Sequence, residues 1–148
     1  MDFITELDSV AAVLSAEVPG TDIKYDVPKE PASGQLIIRA QRNELVTESH
    51  FTTRIERLYQ IIYFSNDPAA AISAMDRLSR KLMFGTTLIP VEDGSFRYIR
   101  IESFSFSDPV ETESGLAAVI ATMPTSIRQA RDRETFVKIT KLNARINP

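Results

Sequence analysis

The side chains that could do chemistry are few in this sequence, and they form no familiar catalytic pattern. The single histidine, His50, stands next to Glu48 and Ser49. A Ser–His–acid site needs three groups that converge from separate parts of a rigid scaffold, whereas these three are consecutive along the chain. We therefore predict a polar connection around His50, and we predict that the chain is not an enzyme.

Metal and cofactor chemistry has equally little support. The chain has no cysteine, which excludes disulfides and thiolate catalysis, and one histidine cannot make a site of several imidazoles. Oxygen ligands remain, since Asp108, Glu111 and Glu113 in DPVETESG could hold a calcium or magnesium ion. Their spacing matches no calcium loop, so a solvated acidic loop is the favoured interpretation. We expect no metal site and no cofactor.

Charge argues against a nucleic-acid binder. The chain has 17 Lys and Arg against 20 Asp and Glu, which leaves no basic field for a phosphate backbone. FGTT lacks the lysine and spacing of a phosphate-binding loop. The charge is uneven, however, because residues 1 to 30 are mostly acidic and residues 124 to 148 mostly basic. These two segments could complement each other within one molecule or between neighbouring copies.

Composition predicts an ordinary folded domain. With 148 residues, of which 43% are hydrophobic, the chain can bury a sizeable core without a metal or a disulfide. The first residues are acidic and resemble no signal peptide, and no apolar run is long enough to span a bilayer. We expect an intracellular, soluble protein, or one that leaves its host only by lysis.

Hydrophobic spacing predicts the elements that must position any functional residue. Residues 3 to 17 should form an amphipathic helix capped by Asp2, and TDIKYDV a short strand. QLIIRAQ reads as a strand and NELVTESH as a polar connection. The stretch from 51 to 64 reads as a long strand, with its second half buried on both faces.

The second helix has the clearest signals of the chain. Asp67 can cap it, Pro68 stands at its first position and Gly85 ends it. Its predicted buried stripe consists of Ile72, Met75, Leu78 and Leu82. A short strand, TLIPV, then leads through the turn at Asp93-Gly94 into the next strand, which predicts a hairpin.

The strand after that turn, in VEDGSFRYIRIESFSF, does not keep its apolar residues on one face. Ile99 and Ile101 have odd numbers, whereas Phe104 and Phe106 have even ones. A strand with one buried face should alternate without such a change. We interpret the change to mean that one part of the strand lines the core, while Phe104 and Phe106 contact a neighbouring molecule or the C-terminal segment.

Residues 107 to 148 are predicted to form an extended hairpin appended to the core. One strand runs from Leu116 to about Arg128, RDRE is the exposed tip, and TFVKITKLNARI returns. Alanine would favour a short helix over residues 116 to 123, but Val119, Ile120 and Pro124 favour an extended chain. The candidate contact residues of this region are Arg128, Arg131, Arg133, Glu111 and Glu113.

The predicted fold is therefore a single α+β domain over residues 1 to 148. Its mostly antiparallel sheet is packed by two helices and carries an additional C-terminal hairpin.

The order of these elements and their residue types resemble those of a known protein family. TRIERLYQIIYFSNDPAAAISAMDRLSRKLMFG, followed by VEDGSFRYIRIESFSF, looks like the middle of the tail terminator proteins of long-tailed bacteriophages, and the resemblance covers roughly residues 3 to 106. It implies a homo-oligomeric ring, usually a hexamer, that stops polymerisation of the tail-tube protein and meets the head-completion (stopper) protein. The family has no catalytic residues. The last forty or so residues depart from its smaller members.

The resemblance implies a virion protein that is assembled in the host cytoplasm, with DNA able to pass through the ring without specific binding and with no membrane partner. Two alternatives remain open at this point. One is another phage head–tail connector or a tail-tube-like component. The other is a small metal-dependent hydrolase or nuclease that uses Glu92, Asp93 or Glu111.

Overall fold

The computed structural model describes residues 3–85, 88–91, 94 and 97–131. Within them the helices are α1 (Phe3–Glu17) and α2 (Pro68–Phe84), and the strands are β1 (Asp22–Lys24), β2 (Gln35–Thr47), β3 (Thr52–Ser65), β4 (Leu88–Pro90), β5 (Tyr98–Ile101), β6 (Ser105–Phe106), β7 (Val110–Glu111) and β8 (Ala117–Ala130). The predicted α+β class is confirmed. That the whole chain is a single domain stays a prediction.

Both predicted helices are present at their predicted positions. The Asp67 carboxylate accepts a hydrogen bond from the N–H of Ala69 at 3.1 Å, and Pro68 occupies the first turn, where no N–H partner is needed. Gly85 ends α2 by donating its N–H to the carbonyl of Lys81. Of the predicted buried stripe, only Ile72 is half-buried instead of buried. The proposed cap of α1, Asp2, lies outside the described residues.

The sheet is antiparallel except at one edge. The strand order is β1-β2-β3-β8-β5-β4, while β6 and β7 also pair with β8, and β1 alone runs parallel to its neighbour β2. The predicted hairpin after α2 is confirmed by the pairing of β4 with β5, and Gly94 has the positive φ of +77° that its turn requires.

Strand β8 lies in the middle of this sheet, which corrects the expectation of a hairpin appended to the core. It pairs with β3 over its whole length, from Ala117–Ser65 to Ala130–Thr52. The physical reason is that alternate β8 residues are apolar and build the core: Val119, Ala121, Met123 and Ile127. The strand interpretation of residues 116 to 123 is thereby confirmed from Ala117 onward. The predicted return strand and most of the RDRE tip lie outside the described residues.

The predicted polar connection NELVTESH was wrong for most of its length. Strand β2 continues to Thr47 and pairs with β3, with a bulge between Ala40 and Arg42. This half of β2 is exposed on both faces, so its sequence lacks the apolar alternation that identifies a strand. Backbone hydrogen bonds to β3 nevertheless keep this half of β2 in the sheet, and only residues 48–51 form the turn between the two strands.

The strand predicted for residues 96 to 106 is interrupted in the structure. Ile101 pairs with Thr125 of β8, and Ser105 pairs with Thr122. Between these two pairs the chain from β5 to β6 advances four residues, while β8 advances three. The same happens from Phe106–Ala121 to Val110–Ala118. One residue is therefore left over at each step, as in a β-bulge, and each extra residue exchanges the two faces of the chain that follows.

This exchange explains the apolar pattern of the strand. After the first interruption, even-numbered residues occupy the face that odd-numbered residues occupied before it. Phe104 and Phe106 accordingly pack against the same core cluster that contains Ile99 and Ile101. The expectation that the two pairs face opposite sides was therefore wrong. The predicted contact with the C-terminal segment is confirmed for Phe106, which pairs with Ala121 of β8. That the two phenylalanines also contact a neighbouring molecule stays a prediction.

The core lies between one face of the sheet and the two helices. Leu7, Val10 and Leu14 of α1 and Met75, Leu78 and Leu82 of α2 join it, with Tyr59 and Ile61 from β3. A second, smaller cluster of Ile37, Ile62, Phe64 and Ala118 lies on the opposite face at one end of the sheet. The prediction that the second half of β3 is buried on both faces is confirmed.

Candidate interaction surface

A cleft of about 790 Å³ opens on the sheet face opposite the helices, at the end of β3 and β8 away from the second cluster. We call it the arginine cleft, because six arginines line it: Arg42, Arg54, Arg57, Arg97, Arg100 and Arg128. Its other lining residues include Leu58, Leu88, Tyr98 and Pro124.

Strand alternation places these side chains on the cleft face. Ile55 and Ile127 point into the core, so their neighbours Arg54 and Arg128 point to the other side. Arg54 and Arg128 are direct cross-strand partners, which brings two like charges together. Like charges in that position are unfavourable unless other groups compensate them.

Carboxylates near the turn between β2 and β3 provide the compensation. Glu48 accepts hydrogen bonds from Arg128, whose Nη2 lies 2.9 Å from Glu48 Oε1, and Arg54 Nη1 lies 4.0 Å from the same oxygen. Arg54 Nε also lies 2.9 Å from Glu56 Oε1. The hydrogen bond to Glu48 raises the pKa of Arg128, so this guanidinium keeps its charge.

The positive charge is nevertheless in excess. Arg100 lies 3.9 Å from Glu102, a loose contact between two exposed side chains, and Arg42 has no ion pair among the described residues. Arg57 is different, because its guanidinium turns to the face of the sheet that the two helices cover. We call this the covered face, and there Arg57 bonds to Glu6 of α1 at 2.7 Å. Leaving aside Arg97, which has an interaction of its own, four arginines thus remain in the cleft against Glu48, Glu56 and Glu102 among the described residues. The arrangement is suited to binding an acidic partner, since guanidinium groups match carboxylates in geometry.

Apolar side chains accompany these charges. Tyr98 is 52% exposed and Leu88 is 49% exposed, and half-buried Leu58 and Pro124 lie on the cleft floor. Arginine, tyrosine and aliphatic residues in one patch are typical of protein–protein interfaces. The cleft is therefore a candidate docking surface for another protein.

The predicted contact residues near the C-terminus are partly in this region. Arg128 lines the cleft. Arg131 lies beyond it, where its N–H donates to the carbonyl of Phe51 at 2.8 Å and its side chain donates to the carbonyl of Ser49 at 3.1 Å. It therefore fastens the end of β8 to the turn between β2 and β3. Arg133 lies outside the described residues.

Glu111 and Glu113 lie far from the cleft. Both are exposed, and Glu111 of β7 pairs with Ala117 at the first residue of β8, whereas Arg128 is near its last. At a rise of roughly 3.3 Å per residue, the two ends are on the order of 35 Å apart. The structure therefore separates the acidic and basic candidates that the sequence placed in one extended hairpin.

Sequence reasoning missed most of the cleft. Arg42, Arg54, Arg100 and Tyr98 were not among its candidates. The available signal was the alternation within residues 51 to 64, which puts Arg54 on the parity opposite to Ile55. The pairing of β8 with β3 is what adds Arg128 to the same surface.

The residues considered for chemistry are not brought together. His50 is exposed in the turn between β2 and β3. No group of three or more His, Asp or Glu residues that could hold a metal ion occurs within the described ranges. Glu92 and Asp93 are outside those ranges. Among the helices that the structure describes, none is long and apolar enough to cross a membrane.

Comparisons with known proteins give a limited result. No protein-family model matches the sequence. No curated protein matches it. Among solved structures, a chain from the virion of a native gene transfer agent particle is similar, with 15% identity, a TM-score of 0.43, and coverage of 82% of this chain and 90% of that chain. A likeness at this level carries no argument about the function of this chain.

Proposed function

We propose that this chain is a structural protein of a phage-like virion, and more specifically that it forms a homo-oligomeric ring that terminates the tail tube. The ring would present one side to the tail-tube protein and the other to the head-completion protein. This proposal concerns the same kind of particle as the one that contains the similar solved chain, but it rests on the surface described above and on the sequence resemblance to tail terminators.

The single observation that supports it most is the arginine cleft on the helix-free face. A ring made by heterologous contacts needs two unlike surfaces on each copy, and the cleft has the composition of such a surface. No catalytic residue is part of the proposal, and no cofactor is needed. Assembly would take place in the host cytoplasm, before the virion is complete.

The experiment is to measure the mass of the purified protein by size-exclusion chromatography with light scattering and to image it by negative stain. We expect rings, most simply hexamers, that bind to one end of purified tail tubes. A compact monomer under all conditions, including with tail-tube protein present, would refute the proposal. Polymerisation into tubes would instead support the alternative of a tube-like component.

The enzyme alternative can be checked on the same preparation. A metal-dependent hydrolase should be stabilised against heat by magnesium, manganese or calcium ions. We expect the melting temperature to stay unchanged with each of these ions.

A further inference from the structure

The end of the sheet opposite the arginine cleft presents an exposed acidic segment. Asp108, Glu111 and Glu113 are all exposed there, and Val110 between them is 52% exposed. The segment has a defined shape. Two backbone hydrogen bonds close the turn after it, from Thr112 N–H to the Leu116 carbonyl and from Gly115 N–H to the Thr112 carbonyl.

The arginine cleft and this acidic segment are complementary in sign, and both include exposed apolar side chains. The segment presents the exposed side chain of Val110 and the exposed carboxylates of Asp108, Glu111 and Glu113, with Glu111 pointing to the other side of β7 from Val110. The cleft presents apolar side chains, Leu88 and Tyr98, with arginines around them. Burying the apolar parts of both surfaces would strengthen the ion pairs at the rim by excluding water.

The two surfaces cannot meet within one molecule. Val110 pairs with Ala118 near the start of β8, whereas the cleft begins at Pro124, roughly 20 Å further along the strand, and extends to Arg128. Contact between them is therefore a contact between copies, in which one end of each molecule meets the opposite end of the next. Repeating such a heterologous contact gives a closed ring if the rotation between copies closes, and an open filament if it does not.

The cleft is less suited to a nucleic-acid partner. Glu48, Glu56 and Glu102 lie among its arginines and would repel a phosphate backbone. The net charge of the chain is −3, so no long-range attraction of nucleic acid is expected. A mixed surface with excess positive charge fits a short acidic protein segment better.

We propose that the arginine cleft of one copy binds the acidic segment around Val110, residues 107 to 113, of the next copy. The proposal deepens the proposed function and takes its partner, a second copy, from it. It also assigns an interface role to Arg42, Arg100 and Tyr98, which the sequence did not indicate.

The test uses charge reversal on each surface of the full chain. The cleft variant is Arg42→Glu with Arg100→Glu; both side chains are exposed, and neither has a close ion pair whose loss would affect folding. The segment variant is Glu111→Lys with Glu113→Lys. We expect each variant to weaken self-association by roughly a hundredfold, because like charges then face each other across the contact.

Restoration makes the test specific. A chain that carries all four substitutions again has opposite charges on its two surfaces, so we expect it to associate like the unchanged protein. Mixing the cleft variant with the segment variant should likewise restore assembly, with the two chains alternating. Sedimentation velocity measures the association, and thermal melting checks that each variant is folded.

Two matched controls have the same number of reversed charges elsewhere. They are Lys29→Glu with Arg77→Glu, and Asp26→Lys with Glu30→Lys, all at exposed positions. We expect both to assemble normally. Loss of assembly in the second control, with none in the segment variant, would overturn the proposal in favour of the acidic residues 1 to 30 as the partner surface.

The outcomes separate this proposal from the proposed function. Rings that persist in both reversal variants would overturn the cleft contact and leave the ring proposal standing. Open filaments would contradict the ring. If each charge-reversal variant abolished these filaments and the chain with all four substitutions formed them again, the cleft contact would be supported. A protein that stays monomeric at high concentration and low salt would overturn both.

Discussion

Arg57 and Arg128 are both bonded to a glutamate, yet they lie on opposite faces of the sheet. Arg57 Nη2 lies 2.7 Å from Glu6 Oε2, and the two side chains are 11% and 2% exposed. Arg128 Nη2 lies 2.9 Å from Glu48 Oε1, and these side chains are 70% and 25% exposed. The contacts have nearly the same length, so burial is what distinguishes them.

Burial decides what each arginine can do. Arg57 also donates to Asn43 and lies 4.8 Å from the centre of the Phe3 ring, so its guanidinium is committed to holding α1 on the sheet. Arg128 has no such enclosure and can exchange Glu48 for a partner's carboxylate at little cost. The covered face therefore serves the fold, and the cleft face is available for binding.

The largest effect is expected from breaking the buried pair. Glu6→Ala leaves Arg57 charged and mostly buried without its carboxylate, which typically costs about 3–5 kcal/mol. Urea denaturation followed by circular dichroism measures the loss in the free energy of unfolding. Glu17→Ala on the same helix is the control. An equal loss in both variants would mean that Glu6–Arg57 is no more than a surface pair.

Phe106 tests where the boundary between the two regions lies. It is half-buried and packs against the core cluster under the helices. Phe106→Ser should therefore lower the free energy of unfolding of the monomer by about 2 kcal/mol, less than for a fully buried phenylalanine. Denaturation of the variant, together with its ring formation, measures this. If the variant kept its stability but no longer assembled, Phe106 would belong to an interface between copies, as predicted from the sequence.

Much of the covered face could be predicted from the sequence. Helix α2 was found because Asp67, Pro68 and Gly85 give local signals that do not depend on the rest of the fold, and α1 was found because its apolar residues recur at helical spacing. The long strand β3 was found because its apolar residues alternate and then occupy both parities. These features are encoded within a few consecutive residues.

The cleft could not be predicted, because it depends on pairing and register. The face of Phe104 and Phe106 was misassigned, since a bulge of one residue leaves no mark in a sequence read for strict alternation. The exposed half of β2 lacked any apolar period. Arg54, Arg100 and Arg128 come from three strands, so their meeting follows only from the order β3-β8-β5.

A pH measurement probes a bond at the margin of the covered face. The Tyr25 hydroxyl donates to Asp8 of α1 at 2.5 Å, and burial, with help from this bond, raises the pKa of Tyr25 from 10.0 to about 12. The folded state therefore holds this proton more tightly than the unfolded state. Its contribution to stability is complete below pH 10 and is lost as the pH rises from 10 to about 12.

Comparing the unchanged protein with Tyr25→Phe isolates that contribution, since Tyr59 titrates equally in both. The free energy of unfolding should fall more steeply above pH 10 in the unchanged protein, by less than about 1 kcal/mol because the hydroxyl is partly screened by water. Parallel curves for the two proteins would show that the bond does not form in solution.

The smallest effect on stability is expected on the cleft face. Arg128→Ala removes the pair with Glu48, which contributes little to stability because water screens the exposed guanidinium, and it also relieves the repulsion with Arg54 across the strands. We therefore expect an unchanged denaturation midpoint together with weaker self-association in sedimentation velocity. Glu6→Ala should show the opposite balance, with a large loss of stability and with the pair of Arg128 and Glu48 unaltered. A clear shift of the denaturation midpoint in Arg128→Ala would mean that its pair with Glu48 serves the fold, as the pair on the covered face does.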